Sequence, residues 1–554
     1  MPSLFIKAAS LINLPVPACL RLFPALCIGS LLFIIVFPSQ LTAQNKSEKV
    51  TIEWGQASAA ARAETATEMV GYDDDAVYVQ KSKSVFMSDS EVFLTRYNQK
   101  LDETKKLEIP VGGSGSSKRY INRILHWNGE LLVFTDMRNN SAKRRSLEVQ
   151  SIDKRSFRLS GRPKPIAVVD YSGHARWNSG DFDLVLSMDS NKLLVVADLP
   201  YEKESKEAFG LHVYGPGMQK IWEKDIELPY TDLLFEVTDR QVDEVGDVYL
   251  LGRVYDEIAR EKRRGKVNYR YEILAYRDQG ERLERYPVDV EGRFLTDMKV
   301  VINTEGDLLC AGFYSDKGTF SIKGSYFLRI DRNTASIASQ SYEEFGLDFI
   351  TQNLSERKAN KVEKKEARGK EVELYQYDLN NLVITADGGA VLVGEQFFIK
   401  VITSTTTSGT GVSTTRTTTI FYYNDIIVVN ISPEGEIAWT QKIPKKQVTS
   451  QDGGFYSSYA MAVIRDKLYF VFNDNPKNLL NTEEGKIYNM VPRKESLVVL
   501  VEVSADGSVS KEALFSSKEV DIITVPKVCG QINETEMILF GKRKKDQRLA
   551  RVRF

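Results

Sequence analysis

The chain has 554 residues, with 74 basic and 75 acidic side chains and a formal net charge of −1. Proteins that bind nucleic acid usually carry a basic excess to neutralise phosphates, so this balance argues against a nucleic-acid partner. The length would allow several domains, but no Pro- or Ser-rich linker divides the chain, and a single domain is predicted for residues 44–554.

The N-terminus has the pattern of a secretory signal peptide. Lys7 and Arg21 provide the positive region, Ala25–Phe37 is the apolar core, and a small-residue cleavage site ends at Ala43. A signal peptide of residues 1–43 is therefore predicted, and the alternative is an uncleaved anchor. No other stretch is apolar enough for a transmembrane helix, so a secreted or periplasmic protein is expected, with envelope association left open.

Two cysteines follow the predicted cleavage site. Cys310 and Cys529 are each predicted inside an apolar strand of a different repeat, as two buried thiols rather than a disulfide framework, and a long-range disulfide bridge is the alternative. Removal of residues 1–43 takes away two basic residues and no acid, which leaves a net charge of −3.

A strand-turn-strand phrase recurs along the chain. Its clearest copies are DEVGDVYLLGR (243–253), NTEGDLLCAGF (303–313) and TADGGAVLVGE (385–395). Weaker copies lie at 72–81, 126–136, 188–198, 464–474 and 533–543. A repeat of several strands at intervals of roughly 55 to 80 residues is typical of a β-propeller.

Each unit is predicted to form four strands. In the unit Met298–Phe345, the second strand is almost wholly apolar, as in a strand buried on both faces, and the fourth is more polar, as at an outer edge. Eight units predict an all-β propeller of eight four-stranded blades, and seven is the alternative. The last unit is short of one strand, and Val50–Gln56 resembles the outer strand Glu436–Lys442. We therefore predict that the N-terminal strand pairs into the C-terminal blade and closes the ring.

The long insertions are expected on one face of the propeller, where function concentrates in loops. The largest cover residues 351–373, 401–420 and 474–495. The Thr-rich segment at 402–419 predicts an extended hairpin that lengthens a second and a third strand, because Thr favours strands. The mixed charge run at 354–374 predicts a short exposed helix.

Six residues on this face are candidates for ligand or partner binding: His174, Arg176, Trp177, Arg416, Tyr456 and Tyr459. Five of them lie in blade-to-blade loops near the expected channel mouth, where aromatic rings stack on sugars or peptides. The alternative is that these rings pack against their own blades.

Recognisable catalytic chemistry is absent from the sequence. The three histidines stand in different units without partners at metal-ligand spacing, so no metal, cofactor or catalytic residue is predicted. Carboxylates from distant blades could still meet in a channel, which leaves a glycoside-cleaving site open.

The unit ending DIIVVNISPEGEIAWTQKIPK (425–445) resembles the repeats of secreted bacterial β-propellers, in which an acidic Gly turn leads to an Ile-x-Trp strand. The mature chain is similar to uncharacterised secreted propeller proteins of Gram-negative envelopes. The resemblance implies the fold and an envelope setting, and no catalytic residue can be carried over from it.

The main hypothesis is a binding or scaffold protein, rather than an enzyme, that docks a protein or glycan through its long-loop face. One alternative is a hydrolase or lyase that acts on polysaccharide through carboxylates at the channel mouth. A second alternative is a structural component of an envelope complex.

Overall fold

The computed structural model describes residues 47, 49–84, 90–113, 115–172, 178–200, 206–231, 234–256, 268–290, 292–316, 321–370, 372–407, 410, 413–480, 486–490 and 495–554. They belong to one compact unit of residues 45–554. The predicted signal peptide, and with it the predicted cleavage site, lies outside the described residues.

Antiparallel sheets of four or more strands follow one another in chain order, after two short strands, β1 (Thr51–Trp54) and β2 (Ser58–Ala59). Sheet 1 contains β3 (Glu64–Tyr72), β4 (Val77–Lys83), β5 (Glu91–Tyr97) and β6 (Glu103–Ile109). Sheet 2 contains β7 (Ser117–Trp127), β8 (Glu130–Asn139), β9 (Arg144–Asp153) and β10 (Arg158–Asp170). Sheet 3 contains β11 (Asp181–Leu186), β12 (Leu193–Asp198), β13 (Lys206–Gly215) and β14 (Gln219–Thr231). Sheet 4 contains β15 (Phe235–Val242), β16 (Val248–Tyr255), β17 (Tyr269–Arg277) and β18 (Arg282–Val288).

The later sheets carry extra strands. Sheet 5 contains β19 (Phe294–Ile302), β20 (Leu308–Ser315), β22 (Gly324–Ile330) and β23 (Ile337–Glu344), beside a separate pair of β21 (Ser321–Ile322) and β24 (Leu374–Tyr375). Sheet 6 contains β25 (Tyr377–Ile384), β26 (Ala390–Thr407), β27 (Ser413–Ile431) and β28 (Ile437–Ile443), with β29 (Gln447–Ser450) added to β27. Sheet 7 contains β30 (Ala460–Ile464), β31 (Lys467–Asp474), β32 (Leu497–Val503) and β33 (Val509–Ser516). Sheet 8 contains β34 (Ile523–Thr524), β35 (Gly530–Asn533), β36 (Glu536–Arg543) and β37 (Asp546–Arg553).

The first described strand joins the last sheet. β1 pairs antiparallel with β37, from Thr51 opposite Arg553 to Trp54 opposite Ala550, and β2 pairs with the start of β37. The ring of Trp54 packs edge-on against Phe515 of sheet 7, with 4.9 Å between the centroids. The N-terminal strand is therefore held by both of the last two sheets.

Second strands such as β12 and β20 are largely apolar, as predicted, whereas β4 also contains Gln80, Lys81 and Lys83. Every residue of β20 is buried: Cys310 packs in the cluster shared with sheet 4, and Leu309 packs in the cluster shared with sheet 6. The turns before such strands need special backbone: Gly306 has φ of +85°, and a Cβ there would lie 2.1 Å from a guanidinium nitrogen of Arg332. Only glycine satisfies both demands without strain.

Neighbouring sheets pack face to face through shared apolar clusters. Each of sheets 1 to 7 shares a buried cluster with the sheet that follows it in the chain, and sheet 8 shares one with sheet 1. The last of these clusters joins Ala66, Val77 and Val79 of sheet 1 to Ile538 and Phe540 of sheet 8. This nearly all-β arrangement of successive four-stranded sheets is propeller-like, and it confirms the all-β part of the prediction.

Tryptophans fasten sheets to the turns of their neighbours. The indole N–H groups of Trp127, Trp222 and Trp439 donate to the carbonyls of Ser190, Gly246 and Ala505, at 2.6, 2.9 and 2.9 Å. Each accepting carbonyl belongs to a tight turn of the next sheet, so the indole supplies both apolar contact and a fixed donor.

The helices are few and short. They are α1 (Leu347–Thr351), α2 (Glu356–Glu366), α3 (Lys477–Leu480) and α4 (Ser517–Val520), with 3-10 turns at Pro216–Met218 and Pro526–Val528. No residue of α2 is buried, which confirms the exposed helix predicted for the charge run. None of the helices in the described residues has the length and apolarity to cross a bilayer.

Both cysteines of the described chain are free thiols. Cys310 is buried in β20, as predicted. Cys529 lies at the end of the second 3-10 turn, not within a strand, and it is only partly buried. The difference arises because Pro526 interrupts the apolar run, so Cys529 caps a turn and its sulfur accepts the backbone N–H of Phe540 at 3.2 Å.

Candidate functional site

The long connections of the chain leave the sheets at one end of the strands, which we call the long-loop face. They join second to third strands, or one sheet to the next. Four of them are 199–205, 256–268, 345–376 and 475–496. The first-to-second and third-to-fourth turns at the opposite end of the strands are short, as in the tight turn Asn303–Asp307.

The most prominent feature of the long-loop face is a two-stranded projection, which we call the arm. Beyond Phe397, β26 leaves β25 but keeps its pairing with β27, from Phe397 opposite Tyr423 to Thr407 opposite Ser413. Ten residue steps at the usual strand rise correspond to about 33 Å. This confirms the predicted extended hairpin over its described residues.

The two faces of the arm differ in charge. One face, the neutral face, carries the odd-numbered residues of both strands: aromatic rings at the base, then Ile399 and Val401, and hydroxyls toward the end. Cross-strand hydroxyl pairs continue it at 3.4, 3.1 and 2.9 Å: Thr403 with Thr417, Thr405 with Thr415, and Thr407 with Ser413.

The opposite face, the charged face, carries the even-numbered residues. Lys400 and Arg416 are the charged residues of the described arm, and both are exposed. Ile402 is 42% exposed on this face, while Ile399 and Val401 are 51% and 60% exposed on the neutral face. Arg416, a predicted binding residue, thus points away from the neutral face, opposite Ser404.

The two edges of the arm also differ. The outer edge of β27 is occupied: β29 pairs with it at residues 420–423, and Gln451 bonds to the backbone of Thr417 and Thr419. The outer edge of β26 pairs with nothing beyond Phe397 among the described residues. The amide of Phe397 donates to the carbonyl of Gln376, which lies on the β25 side of β26. Backbone N–H and C=O groups alternate in direction along an antiparallel strand, so those of the other odd-numbered residues of β26 also point toward this open edge.

The base of the arm rests on a buried polar network. Lys445 donates to a carboxylate oxygen of Glu395 at 2.6 Å, to the carbonyl of Tyr423 at 3.0 Å and to the amide oxygen of Gln447 at 3.2 Å. The Ser458 hydroxyl donates to the other carboxylate oxygen of Glu395 at 2.7 Å. The side chains of Lys445 and Glu395 are 0% and 2% exposed, so their charges are withdrawn from water and depend on each other.

Two further lysines lie near this network. Burial lowers the pKa of Lys442 to about 8, and its ammonium, which donates to the carbonyl of Phe349, lies 4.6 Å from the ring of that residue in α1. The ammonium of Lys527 donates to the hydroxyl of Tyr423 at 2.8 Å, and desolvation lowers its pKa as well. These contacts fix the helical insertion and the arm base to the body of the protein.

The predicted site residues Tyr456 and Tyr459 belong to the loop that covers this network. Tyr456 packs edge-on against Phe455 at 4.8 Å, and Tyr459 packs edge-on against Phe470 at 5.4 Å. Burial raises the pKa of both phenols. The loop is thus drawn into the body of the protein here, with its rings partly buried. His174, Arg176 and Trp177 lie outside the described residues.

A second polar feature runs along the first strands of the sheets. Five of these strands contain a β-bulge at which a Thr or Asn precedes a polar residue: Thr67-Glu68, Asn122-Arg123, Thr238-Asp239, Thr296-Asp297 and Asn380-Asn381. The bulged Thr hydroxyls donate to carbonyls of the second strand, at Gln80, Leu251 and Phe313. A bulge re-aims the side chain that follows it, so the polar residues form a row across neighbouring sheets.

Two acids of this row, Asp239 and Asp297, are paired and desolvated, whereas the side chain of Glu68 is 40% exposed. Asp239 lies 3.8 Å from the ammonium of Lys299, and Asp297 lies 3.4 Å from the guanidinium of Arg253. Desolvation nevertheless raises the pKa of both carboxyls, and that of Asp378, on which Asp297 also acts by repulsion. Raised carboxyl pKa values are typical of groups that must hold a proton near neutral pH, although structural networks also produce them.

No group of three His, Cys, Asp or Glu side chains that could hold a metal ion is present in the part of the chain that the structure describes. His126 lies 3.8 Å from Asp73, and its pKa is lowered by burial. His212 lies 3.2 Å from Glu223 at the sheet surface. Each described histidine is therefore engaged with one carboxylate only.

Sequence reasoning did not find the network or the bulge row. Lys445 belongs to the local sequence PKKQ, which is typical of an exposed pair of charges. The local sequence does not indicate that its partner is Glu395, fifty residues away. The bulge row does correspond to a pattern in the sequence: a Thr or Asn followed by a polar residue recurs within the first strand of five repeats. That dipeptide could have been found by aligning the repeats on their second strands.

No protein-family model matches the sequence. A search of the curated proteins gives no match either. Among solved structures, the WD40 domain of SCAP from fission yeast is similar to this chain with a TM-score of 0.38 and 7% identity, over 92% of this chain and 99% of that one. A protein of unknown function from Bacteroides caccae has a TM-score of 0.28 and 11% identity, over 70% of this chain and 94% of that one.

A prolyl endopeptidase structure has a TM-score of 0.39 and 11% identity, with 89% of this chain covered. The chain spans 55% of the length of that enzyme. Similarities of this size carry no argument about activity, ligand or partner.

Proposed function

We propose that this protein is a binding scaffold that docks another protein through its long-loop face, with the arm as the contact element. The observation that carries the proposal is the arm itself. A two-stranded ribbon without a third strand is at best marginally stable in water. This one nevertheless projects Ile399, Val401 and Ile402 into solvent. Exposed apolar side chains beside an open strand edge are typical of a surface that a partner covers.

The body that carries the arm is, in our proposal, a closed ring of eight four-stranded blades. The pairing of β1 with β37 supports closure, because it supplies the outer strand that the last sheet otherwise lacks. The apolar cluster shared by sheets 8 and 1 supports it as well. A ring of this kind removes the exposed sheet edges at both chain termini and gives the arm a rigid base.

We further propose that the protein is secreted or periplasmic and works in the cell envelope. The support is the N-terminal pattern of Lys7, Arg21 and an apolar core that ends before Ala43. N-terminal sequencing of the protein from fractionated cells tests this. A new N-terminus near Gln44 in the periplasmic or secreted fraction supports the proposal, and an intact Met1 in the cytoplasm contradicts it.

A crosslinked pull-down from native envelopes tests the docking function. One bait is residues 44–554, and the other is the same chain with residues 403–418 replaced by a tight turn. We expect the first bait to capture a partner that the second loses, because the shortened arm lacks residues 403–407 of the open edge and the strand 413–418 that pairs with Ile402 and the residues beyond it, while the sheets stay intact.

Point variants within the arm make the test sharper. Val401→Glu places a charge on the neutral face, and Ile402→Glu, the matched control, places the same charge on the charged face one residue away. If capture is lost with Val401→Glu and kept with Ile402→Glu, the result supports docking through the neutral face of the arm. Equal capture by all four baits contradicts the proposal.

A second candidate function is a hydrolase or lyase that acts on polysaccharide through the bulge row. The observation that favours it is the raised pKa of Asp239 and Asp297, which suits a carboxyl that donates a proton. Release of reducing ends from envelope polysaccharide is the assay. Asp297→Asn should abolish it, whereas Asp387→Asn, in an exposed tight turn, should leave it unchanged.

A third candidate is a structural component of an envelope complex that the arm holds in place. It differs from the docking scaffold in being permanent: the protein would sediment with envelopes at high salt. Extraction of the protein by salt alone would contradict this candidate.

A further inference from the structure

The open edge of the arm has an unusual composition for an unpaired strand. Natural edge strands are blunted by lysine, proline, a bulge or a covering loop, since a bare edge invites pairing with another chain. The edge segment Val401–Thr407 of β26 carries none of these: it is uncharged, and four of its seven residues are threonine. Beyond Lys400, the described part of the open edge is thus unprotected where a protected edge is the rule.

The arm itself shows what kind of strand it accepts. On the other edge, the chain adds its own β29, with the sequence Gln-Val-Thr-Ser, beside residues 420–423. That strand is extended, uncharged and contains β-branched residues. The segment Val401–Thr407 of a second copy has the same chemistry, and it brings an open edge of its own.

We infer that the open edge of β26 pairs antiparallel with the same edge of a second copy of this chain, so that two arms form one four-stranded sheet. The inference rests on the proposed role of the arm as a docking element and names its partner. The physical reason is the instability of the isolated ribbon: pairing turns two marginal two-stranded ribbons into a sheet of four strands.

The register of this pairing follows from the extent of the open edge. A twofold axis at Thr403 is the register that pairs the whole segment from Ile399 to Thr407 with its copy. The odd-numbered residues, whose backbone groups face the open edge, then meet odd-numbered residues of the second copy. Lys400 lies opposite Thr406 of the second copy, so no like charges face each other across the junction.

Charge over the whole molecule does not oppose the pairing. The net charge is −3 for residues 44–554, and long-range repulsion between two copies is correspondingly small. The β27 edge is the poorer alternative, because β29 and Gln451 occupy it as far as Thr417 and leave only residues 413–416 of the described strand.

Sedimentation velocity and light scattering of residues 44–554 over a wide range of concentrations test the inference. We expect a concentration-dependent monomer–dimer equilibrium. Thr403→Lys should weaken it at least tenfold, because the axis places the two new lysines directly opposite each other. Thr403→Glu should weaken it equally, and an equimolar mixture of the two variants should restore a dimer that contains one copy of each.

Two proline variants identify the edge. Thr403→Pro removes an amide that faces the open edge of β26, and Thr415→Pro removes the corresponding amide on β27. Neither amide takes part in the pairing of the arm, so both variants should keep the wild-type melting temperature. The first should lose the dimer and the second should keep it.

Three results would overturn the inference: a wild-type chain that is monomeric at all concentrations, a dimer that survives Thr403→Pro, or a lysine–glutamate mixture that fails to reassociate. A monomeric chain that still captures another protein through its arm would overturn this inference and leave the proposed function standing.

Discussion

The two halves of the hairpin β26–β27 belong to the same pair of strands and have opposite environments. Residues 390–395 are buried between sheets 5 and 7, where Leu392 and Val393 have no measurable exposure. Residues 399–407 of the same strand are all exposed. Both halves pair with β27, although β-branched residues make up only two of six positions in the buried half and seven of nine in the exposed half. The contrast teaches that strand propensity sets the local conformation, whereas burial decides which half contributes to the stability of the fold.

The largest expected effect comes from charging each half in turn. Val391→Asp buries an unpaired carboxylate between two sheets and should unfold the protein, a loss of about 4 kcal/mol or more. Val401→Asp, the matched variant ten residues further along the strand, should change the free energy of unfolding by less than about 0.5 kcal/mol. Chemical denaturation followed by circular dichroism measures both. Equal losses would show that the arm is part of the cooperative core.

The buried ion pair at the arm base sharpens the comparison. Glu395→Gln leaves the ammonium of Lys445 without its counter-charge and should cost about 3–5 kcal/mol. The double variant Glu395→Gln/Lys445→Met should recover at least half of that loss, because no charge remains buried. The exposed pair of Arg282 and Asp278 is the control: Asp278→Asn should cost less than about 0.5 kcal/mol. A double variant no more stable than the single one would show that the network acts through its hydrogen bonds.

The buried lysine of β28 gives a pH-dependent effect of intermediate size. The pKa of Lys442 is lowered to about 8 in the folded protein, so between pH 8 and 9.5 the unfolded chain binds more protons than the folded one. The deprotonation of Lys442 therefore raises the free energy of unfolding by about 2 kcal/mol between pH 8 and pH 9.5.

Lys442→Met should remove this rise from the curve of unfolding free energy against pH. Lys400→Met, in the exposed half of the hairpin, should leave the wild-type curve unchanged. If the wild-type and Lys442→Met curves run parallel, the ammonium is more hydrated than its position beneath Phe349 indicates.

The smallest effect is expected from removal of the arm. A tight turn in place of residues 403–418 deletes strands that bury no apolar core, so the free energy of unfolding should change by less than about 0.5 kcal/mol. Calorimetry of the shortened chain measures this. A large loss would mean that the arm folds back on the body in solution.

Much of the fold could be predicted because its strand and turn pattern lies within the local sequence of each repeat. The apolar second strand and the Gly-Asp turn before it recur in unit after unit, and the Thr-rich segment predicts the arm from strand propensity alone. The pairing of β1 with β37 was predicted from the likeness of Val50–Gln56 to Glu436–Lys442, and Trp54 and Trp439 both pack against sheet 7.

The site was harder to predict because its determinants are long-range. The burial of Lys445 depends on Glu395, Tyr423 and Ser458, which are brought together only when the arm base and the loop before sheet 7 are in place. The polar side chains of the bulge row depend on one extra residue in each first strand, and composition does not reveal such a residue. Tyr456 and Tyr459 were predicted to bind a ligand, with packing against their own blade as the alternative, and the structure shows both rings partly buried and Tyr459 packed on Phe470.

The bulge between Glu395 and Phe397 has a consequence for how the arm can change in length. The bulge determines that the backbone groups of the odd-numbered residues of β26 point to the open edge. The side chains of these same residues form the neutral face. Insertion of one residue at the base of either strand would exchange the faces of that strand, which would bring Lys400 of β26 or Arg416 of β27 to the neutral face. Insertion of two would preserve them. Arm length is therefore subject to a parity rule, and natural length variants of this arm should differ by even numbers of residues per strand.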